Sequence, residues 1–474
     1  MRSAAAPPTI ESFDPASFRE FRLLGRSLDG DGAVRLRYAL DQLEFEESFI
    51  LPLPAAGERT PGAATVDGLL DLLHWVAGVS YYKAAAPPVI TFAGGAPGSA
   101  TTAFLRALYS EGLGEFAVVN NLSALPSPQF QHPDGPPGAS GSETGSRESA
   151  SESNPVAPAP ARLNRLLIPA GGGKDSAVAI EVGRASGLPL TLFSVGDAAP
   201  IAATAAVSGY ERLIATRRID PRLLQCNAAG ALNGHVPITA IIACVALLTA
   251  ALHGHDAVTL ANERSASAGN LIWRGVEVNH QFSKSLRAER LLAAAVAEVA
   301  GAPAVLSLLR PASELSIARA FAGMRPYHAA FTSCNRVFRL DPARRTRSWC
   351  CDCDKCRFVY LILAPFMEPG ELRAIFGADL LAEADQFEAF ARLAAPGAEK
   401  PFECVGEAGE CLAAIRLISE RPAWRDHPVV RRLVSEALAP RPVSDADLAY
   451  HFALSPQHEV PDQLLGAVHA VLGA

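Results

Sequence analysis

Apolar and polar positions alternate near the start of the chain with the two-residue period of β-strands. Phe21 and Leu23 flank a polar side chain, and residues 34–38 read Val-Arg-Leu-Arg-Tyr after the run Asp-Gly-Asp-Gly at 29–32. Successive strand side chains point to opposite faces, and Asp-Gly pairs favour tight turns. The pattern predicts a β-hairpin.

The period then changes to that of a helix. Leu69, Leu70, Leu73 and Val76 recur at spacings that place them on one helical face. Together with the hairpin, this helix predicts a small N-terminal α+β module over residues 15–126. Residues 127–161 are rich in Pro, Ser, Gly, Ala and Glu and nearly lack large apolar side chains, which predicts a disordered linker.

An apolar run at 166–168, three glycines and a helical pattern beginning near Ser176 follow the linker. Glycines let backbone N–H groups approach phosphate oxygens, and the helix N-terminus adds partial positive charge. Lys174 adds a full charge. The order differs from a Walker A loop because Asp175 separates the lysine from the hydroxyl residue. A ligand-free glycine turn is the alternative.

Further apolar runs at 190–195 and 257–261, with a helical stretch at 238–253 before the second, repeat the β-α order. Such a repeat predicts a doubly wound parallel sheet, with an α/β nucleotide domain over 162–368. Ligands of these sheets bind beyond the carboxyl ends of the strands, where Ser194 also falls. Residues 369–474 show helical patterns and predict a C-terminal helical region.

Composition and charge narrow the class of protein. The 474 residues are 49% hydrophobic and 19% charged, with a net charge of -7 and a pI near 5.9. An acidic balance disfavours nucleic-acid partners. The apolar stretch 236–252 is short for a membrane span, and the first residues lack the apolar segment of a signal peptide. We therefore expect a cytoplasmic protein with neither nucleic-acid nor membrane partners.

Polar and charged side chains are dense between Asn262 and Ser285, after the third strand of the predicted sheet. Glu263 suits Mg²⁺, Lys284 suits phosphate or carboxylate, and His280 is a candidate base. A solvated surface loop is the alternative. The candidate substrate-binding residues from this segment are Asn262, Arg264, Asn279 and Lys284.

Two arginines, Arg217 and Arg218, follow a strand-like run at 212–215. The guanidinium fork binds carboxylate or phosphate bidentately, so both are candidate substrate ligands. Surface ion pairs explain them equally well. Farther along, Cys404 and its neighbours at 400–407 form a polar island whose cysteine is a candidate acid or base, or else a buried apolar residue.

Cysteines cluster at Cys350, Cys353 and Cys356, with Cys334 upstream. Interlocking C-x2-C spacings bring thiolates together at little cost in chain entropy, and four thiolates suit tetrahedral Zn²⁺. An iron–sulfur cluster or free cysteines remain open. Cys334 lies sixteen residues before Cys350, whereas the other three cysteines are three residues apart. Cys351 and Asp352 are therefore alternates for the fourth ligand.

The glycine stretch resembles the motif Ser-Gly-Gly-x-Asp-Ser of the PP-loop ATP pyrophosphatases. Residues 172–176 match it, and Gly171 stands where that superfamily has serine. The resemblance implies a PP-loop fold that cleaves ATP between the α and β phosphates and transfers AMP to a substrate oxygen. ATP binding then falls to Gly171, Gly172, Gly173, Lys174, Asp175, Ser176, Ser194 and Glu263.

A wider set of segments is similar to the ATP-dependent UDP-N-acetylmuramoyl-L-alanyl-L-glutamate epimerases, the MurL family. They are residues 78–83, 112–116, 166–182, 233–237, 262–265, 277–280, 309–311, 333–335, 350–356 and 401–406. The resemblance implies epimerisation of the terminal L-glutamate through an acyl adenylate in peptidoglycan precursor synthesis, with ATP and Mg²⁺.

Residue roles in that reaction follow from the resemblance together with the candidates above. We assign catalysis to Asp175, His280 and Cys404 and add Arg310 to the substrate-binding set. A UDP-N-acetylmuramoyl-L-alanine L-glutamate ligase is the implied functional partner. A PP-loop enzyme that modifies a nucleobase or tRNA is the second hypothesis, and an inactive binding module the third.

Overall fold

The computed structural model describes residues 10–55, 61–132, 162–339, 342–395 and 400–473. The β-strands are β1 Glu20–Leu28, β2 Ala33–Leu40, β3 Leu43–Ile50, β4 Val89–Phe92, β5 Gln129–Gln131, β6 Leu166–Pro169, β7 Leu190–Val195, β8 Arg212–Arg218, β9 Ala257–Leu260, β10 Leu271–Trp273, β11 Val276–Val278 and β12 Ala304–Ser307. The α-helices are α1 Ala63–Ala77, α2 Val79–Tyr82, α3 Ser99–Ser110, α4 Gly114–Val119, α5 Lys174–Ala185, α6 Ala199–Ser208, α7 Pro221–Ala229, α8 Ile238–Leu252, α9 Leu286–Ala297, α10 Glu314–Ala322, α11 Asp354–Leu363, α12 Pro369–Phe376, α13 Phe387–Leu393, α14 Ala408–Ser419, α15 Pro428–Leu433, α16 Asp445–Phe452 and α17 Asp462–Leu472.

Five neighbouring strands form the parallel half of the main sheet in the order β12-β9-β6-β7-β8. Strand β6 is the first of them in the chain and lies in the middle, so the strand order reverses between β6 and β9. Helix α5 packs with α10 and α17 on one face, and α8 packs with α1 on the other. The predicted α/β class and mostly parallel sheet are confirmed, with a crevice expected at the reversal.

The N-terminal strands extend this sheet. Strand β3 pairs antiparallel with β8, with Ile50 opposite Thr216, and the order continues β3-β2-β1-β4-β5. The predicted hairpin is present as β1 and β2. The residues predicted as a separate N-terminal module therefore share one sheet with the predicted nucleotide domain. A ladder between strands so far apart in the chain leaves no local pattern in the sequence.

Part of the predicted linker is ordered in the sheet. Gln129–Gln131 pairs parallel with β4, and the Phe130 ring lies 5.8 Å from that of Phe92 and 6.0 Å from that of Tyr109. The prediction of disorder is wrong for these three residues, since Phe130 supplies an apolar anchor. Residues 133–161 of the predicted linker lie outside the described residues.

Helices α12–α17 occupy the stretch predicted to be helical, and α17 packs on α5. The apolar helix α8 lies buried between the sheet and α1, as expected for a core helix. Within the described ranges, no helix is long and apolar enough to cross a membrane.

Candidate active site

The glycine loop joins the carboxyl end of β6 to α5, which begins at Lys174, two residues earlier than the sequence pattern predicts. Gly172 has a φ of +78°, and a Cβ there would lie 2.7 Å from the backbone nitrogen of Ile201. The Gly171 N–H donates to Ser176 Oγ at 2.8 Å. Only glycine fits at position 172, and the resulting tight turn presents the N-terminus of α5 to the sheet edge.

Lys174 is fully buried and forms ion pairs with Asp175 and Glu314. Burial alone would lower the pKa of the lysine, but the two carboxylates raise it above its ordinary value. Lys174 therefore keeps its charge inside the fold. Glu314 begins α10, and sequence reasoning missed it because no spacing rule links it to the loop.

Three consecutive sheet positions bring carboxylates to this edge. Asp175 follows β6, Glu263 follows β9 and Glu314 follows β12. Burial, followed by the negative charges of Asp175 and Glu263, raises the pKa of Glu314 to about 8 against the opposing effect of the lysines. Carboxylate oxygens are the ligands that Mg²⁺ prefers. A divalent cation would relieve their mutual repulsion.

A second cluster lies beside this edge and centres on Cys404. Lys284 Nζ donates to Cys404 Sγ at 3.6 Å, and His280 interacts electrostatically with the same thiol. Burial raises the pKa of the thiol. The positive charges of Lys284 and His280 together outweigh burial and lower this pKa to about 6, below the ordinary value of a cysteine. Cys404 is therefore a thiolate at neutral pH, the nucleophilic and basic form of the side chain.

The partner imidazole carries the opposite charge. Burial lowers the pKa of His280, but the nearby Cys404 thiol and the hydrogen-bonded Glu115 carboxylate raise it to about 9. Lys284 also interacts electrostatically with Asp175, so one lysine faces both clusters. The arrangement is a thiolate–imidazolium pair within electrostatic reach of the phosphate loop.

A second histidine lies against this pair. The ring centroids of His235 and His280 are 4.4 Å apart, and burial followed by the charges of His280, Lys284 and Lys83 lowers the pKa of His235 to about 3. The loop that carries His235 is fixed by Asn233, whose Oδ1 accepts from Lys83 Nζ at 2.7 Å. His235 is therefore neutral.

The four cysteines predicted as metal ligands converge. Cys350 Sγ and Cys353 Sγ lie 3.7 Å and 3.5 Å from Cys356 Sγ, and Cys334 Sγ is within 4.8 Å of all three. Thiolates at about 2.3 Å from a tetrahedral Zn²⁺ lie about 3.8 Å apart. The spacing fits a metal.

The two alternates for the fourth ligand, Cys351 and Asp352, contact other parts of the chain. Cys351 Sγ donates to the Phe376 carbonyl at 3.2 Å, and Asp352 is paired with Arg336 at 3.0 Å. The Cys334, Cys350, Cys353 and Cys356 set is therefore the one that the fold brings together.

The cysteine cluster is tied to the active site through Lys355, which lies between two of its members. The Lys355 N–H donates to Glu403 Oε2 at 2.8 Å, next to Cys404. The Lys355 ammonium lies 4.0 Å from Glu314. A metal bound by the cysteines would thus brace both the segment that carries Cys404 and the phosphate-loop carboxylates.

Comparison with protein families decides the classification. The model described as the MurL N-terminal domain matches residues 12–307, and the MurL C-terminal domain model matches residues 330–447. The chain belongs to the MurL family. The two models divide it between residues 307 and 330, after β12.

Curated relatives agree with the MurL assignment. A UDP-N-acetyl-alpha-D-muramoyl-L-alanyl-L-glutamate epimerase of Micromonospora sp. is 44% identical over 439 residues, covering 91% of this chain and 93% of the relative. The protein of that name from Xanthomonas oryzae pv. oryzae is 36% identical over 464 residues, covering 97% and 99%. No solved structure matches the chain.

Two side chains predicted to bind substrate, Arg310 and Asn262, also make buried contacts within this MurL site. Arg310 is fully buried and donates to Glu289 and to the backbone carbonyls of Glu263 and Lys284. Asn262 Nδ2 donates to Ser307 Oγ at 3.1 Å. In this structure both hold the segment after β9 in place. Their role as substrate ligands stays a prediction.

Asn279 has one side facing open space. Its Nδ2 donates to the Ala266 carbonyl at 2.9 Å, and the residue lines a cleft of about 340 Å³ together with Glu277 and Ser285. The role of Asn279 as a substrate ligand stays a prediction.

The remaining arginines contact other parts of the chain. Arg217 pairs with buried Glu47 and donates to Ser80 Oγ at 2.9 Å, and Arg264 stacks on Tyr450 with 4.5 Å from guanidinium to ring centroid. Arg218 is exposed. Both Arg217 and Arg218 are the last residues of β8 rather than a loop after it, because the ladder with β3 extends the strand.

Ser194 lies at the carboxyl end of β7, the strand next to β6. Its hydroxyl donates to the Gly196 carbonyl at 2.9 Å. The residue reaches the predicted sheet edge, and its contact with a nucleotide stays a prediction.

Proposed function

We propose that this chain is an ATP-dependent epimerase. Its substrate would be UDP-N-acetylmuramoyl-L-alanyl-L-glutamate, whose terminal L-glutamate it converts to D-glutamate through an acyl adenylate, with release of AMP and pyrophosphate. The observation that carries this proposal is the position of Lys284, whose Nζ lies 3.6 Å from Cys404 Sγ and which also interacts electrostatically with Asp175 of the glycine loop. It connects the Cys404 and His280 pair to that loop. The name of the curated relatives supports the choice of substrate.

Activation of the carboxylate explains why both clusters are needed. A proton α to a carboxylate is hard to remove because the carbanion would lie beside an existing negative charge. An acyl adenylate removes that charge and turns the carbonyl into an electron sink. The glycine loop and the N-terminus of α5 would bind the phosphates, and Asp175, Glu263 and Glu314 would hold Mg²⁺, which screens phosphate charge when bound.

Proton transfer falls to the second cluster. The Cys404 thiolate takes the α-proton and becomes a thiol, and the His280 imidazolium returns a proton to the other face and becomes neutral. Proton exchange with solvent then returns the thiol to its thiolate and the imidazole to its imidazolium, which restores the starting state. Water releases AMP from the epimerised product.

The substrate defines the setting of the reaction. A ligase that adds L-glutamate to UDP-N-acetylmuramoyl-L-alanine must precede this enzyme in peptidoglycan precursor synthesis. Because that precursor is a nucleotide-activated sugar, we place the reaction in the cytoplasm.

We also propose that Cys334, Cys350, Cys353 and Cys356 bind a structural Zn²⁺. Their sulfur separations support it, and so does the ligand chemistry of four thiolates. The metal would stabilise the start of α11 and, through Lys355, the segment of Cys404.

Product analysis tests the activity. The protein is incubated in D2O with Mg-ATP and the muramoyl dipeptide, and the expected products are AMP, pyrophosphate and a D-glutamyl residue with deuterium at its α-carbon. Formation of ADP, or absence of solvent deuterium at that carbon, would contradict the proposal. AMP formation that depends on tRNA alone would favour the nucleobase-modifying alternative.

A further inference from the structure

Glu115 is an acidic residue of the N-terminal strands and helices that reaches the acid–base pair. It lies on α4, and its carboxylate contacts His280 Nδ1. The same carboxylate is 3.6 Å from His235 Nδ1, and the side chain is 15% exposed. The resemblance named its segment, residues 112–116, without giving any member a role.

Glycines permit the close approach that this contact needs. A Cβ at Gly114 would lie 3.0 Å from Val278 Cγ1, and one at Gly234 would lie 3.4 Å from Phe116 Cα. Asn120 Nδ2 donates to the Asn233 carbonyl at 2.8 Å, which fixes α4 against the loop of His235. The backbone is thus built to bring α4 against two histidine-bearing segments at once.

Glu115 has few competing partners that would explain its position. Both contacts recorded for its side chain in the described residues are with imidazoles, and His235 is neutral. The carboxylate charge therefore acts mainly on His280. A carboxylate bonded to one imidazole nitrogen fixes the ring orientation and leaves the other nitrogen for chemistry.

We propose that Glu115 is a positioning residue that orients the His280 ring and supports its charged form for proton transfer. The inference rests on the proposed function and deepens it. The N-terminal region then contributes directly to epimerisation, whereas adenylation belongs to the loop after β6. The two half-reactions draw on different parts of one sheet.

The test separates those half-reactions. Dipeptide-dependent exchange of labelled pyrophosphate into ATP reports adenylation, and deuterium entry at the glutamyl α-carbon reports proton transfer. Glu115→Gln is expected to lower deuterium entry about 10²-fold while pyrophosphate exchange stays close to that of the parent protein. Glu115→Asp is expected to recover part of the loss. Glu44→Gln on β3, which removes an exposed partner of Arg37, is the matched control with both rates unchanged.

Each other outcome overturns the inference. Equal loss of both rates in Glu115→Gln would show a purely structural role, and unchanged deuterium entry would show no role. The ligand atoms of Glu115, His235 and His280 lie within 4.8 Å of one another. A metal ion found by mass spectrometry in the parent protein and lost in both Glu115→Gln and His235→Ala would make Glu115 a metal ligand instead. Absence of pyrophosphate exchange in the parent protein would refute the proposed function itself.

Discussion

Two cysteine-bearing regions of this molecule differ in how the chain assembles them. In the proposed metal cluster of Cys334, Cys350, Cys353 and Cys356, three of the four thiols lie within one stretch of seven residues, 350–356. In the acid–base cluster, Glu115, His280 with Lys284, and Cys404 come from three distant stretches. Short loops lose little entropy on closing, so the first region is specified locally. The second exists only because the sheet and its crossovers bring these stretches together.

The two regions are also joined. The Lys355 N–H, inside the metal cluster, donates to Glu403, next to Cys404. The cysteine cluster, which is specified by a short stretch of sequence, therefore helps to hold the acid–base cluster, which is assembled from distant stretches. The expected effects of substitutions measure how far each region depends on the other.

The largest effect is expected at the loop that both regions approach. Asp175→Ala removes a buried carboxylate that pairs with Lys174, and we expect it to abolish both pyrophosphate exchange and epimerisation. Asp462→Ala, which removes an exposed acidic residue from the first turn of α17, is the control. Full activity of Asp175→Ala, in a protein that melts like its parent, would refute the assignment of the loop.

A substitution in the acid–base cluster is expected to slow proton transfer and to leave adenylation unchanged. A serine hydroxyl stays protonated at neutral pH, so Cys404→Ser should lower deuterium entry about 10²- to 10⁴-fold with pyrophosphate exchange retained. Cys351→Ser is the control, since that thiol bonds to the Phe376 carbonyl. Unimpaired epimerisation by Cys404→Ser would remove this cysteine from the mechanism.

A substitution in the proposed metal cluster is expected to lower the stability of the fold more than it lowers activity. Cys353→Ser should abolish bound zinc, measured by mass spectrometry, and lower the melting temperature by about 2–4 °C for each kcal/mol lost. Epimerisation should fall less than in Cys404→Ser, because the cluster acts through Glu403. Cys351→Ser should keep its zinc. A zinc-free parent protein would overturn the metal assignment.

The smallest effect is expected from pH. Cys404 has its pKa lowered to about 6 and His280 has its pKa raised to about 9, so thiolate and imidazolium coexist between these values. Below about pH 6 the thiolate gains a proton, and above about pH 9 the imidazolium loses one. Deuterium entry should therefore form a plateau across this window, with Lys284, Glu115 and His235 as the ionisable side chains that face the pair. A steady rise through pH 8 and beyond would contradict the pair.

Much of the parallel half of the sheet could be predicted because its signals are local. The glycine loop, strands β6, β7 and β9, and the helix after the loop all follow from short patterns. The sequence also singled out His280 and Cys404, but only the fold brings them close enough to interact electrostatically. Glu314 could not be predicted as a site residue, because the sequence around an isolated glutamate in a helical pattern does not show whether the side chain is buried or exposed to solvent.

The sequence by itself determined the strand–loop–helix unit and the cysteine spacing, since both depend on backbone preferences and loop closure over a few residues. The tertiary structure decided that β3 pairs with β8, and so that Glu115 meets His280. It also decided which charges are buried together. The pKa of a side chain depends on those neighbours, so the thiolate and imidazolium become visible only once the chain is folded.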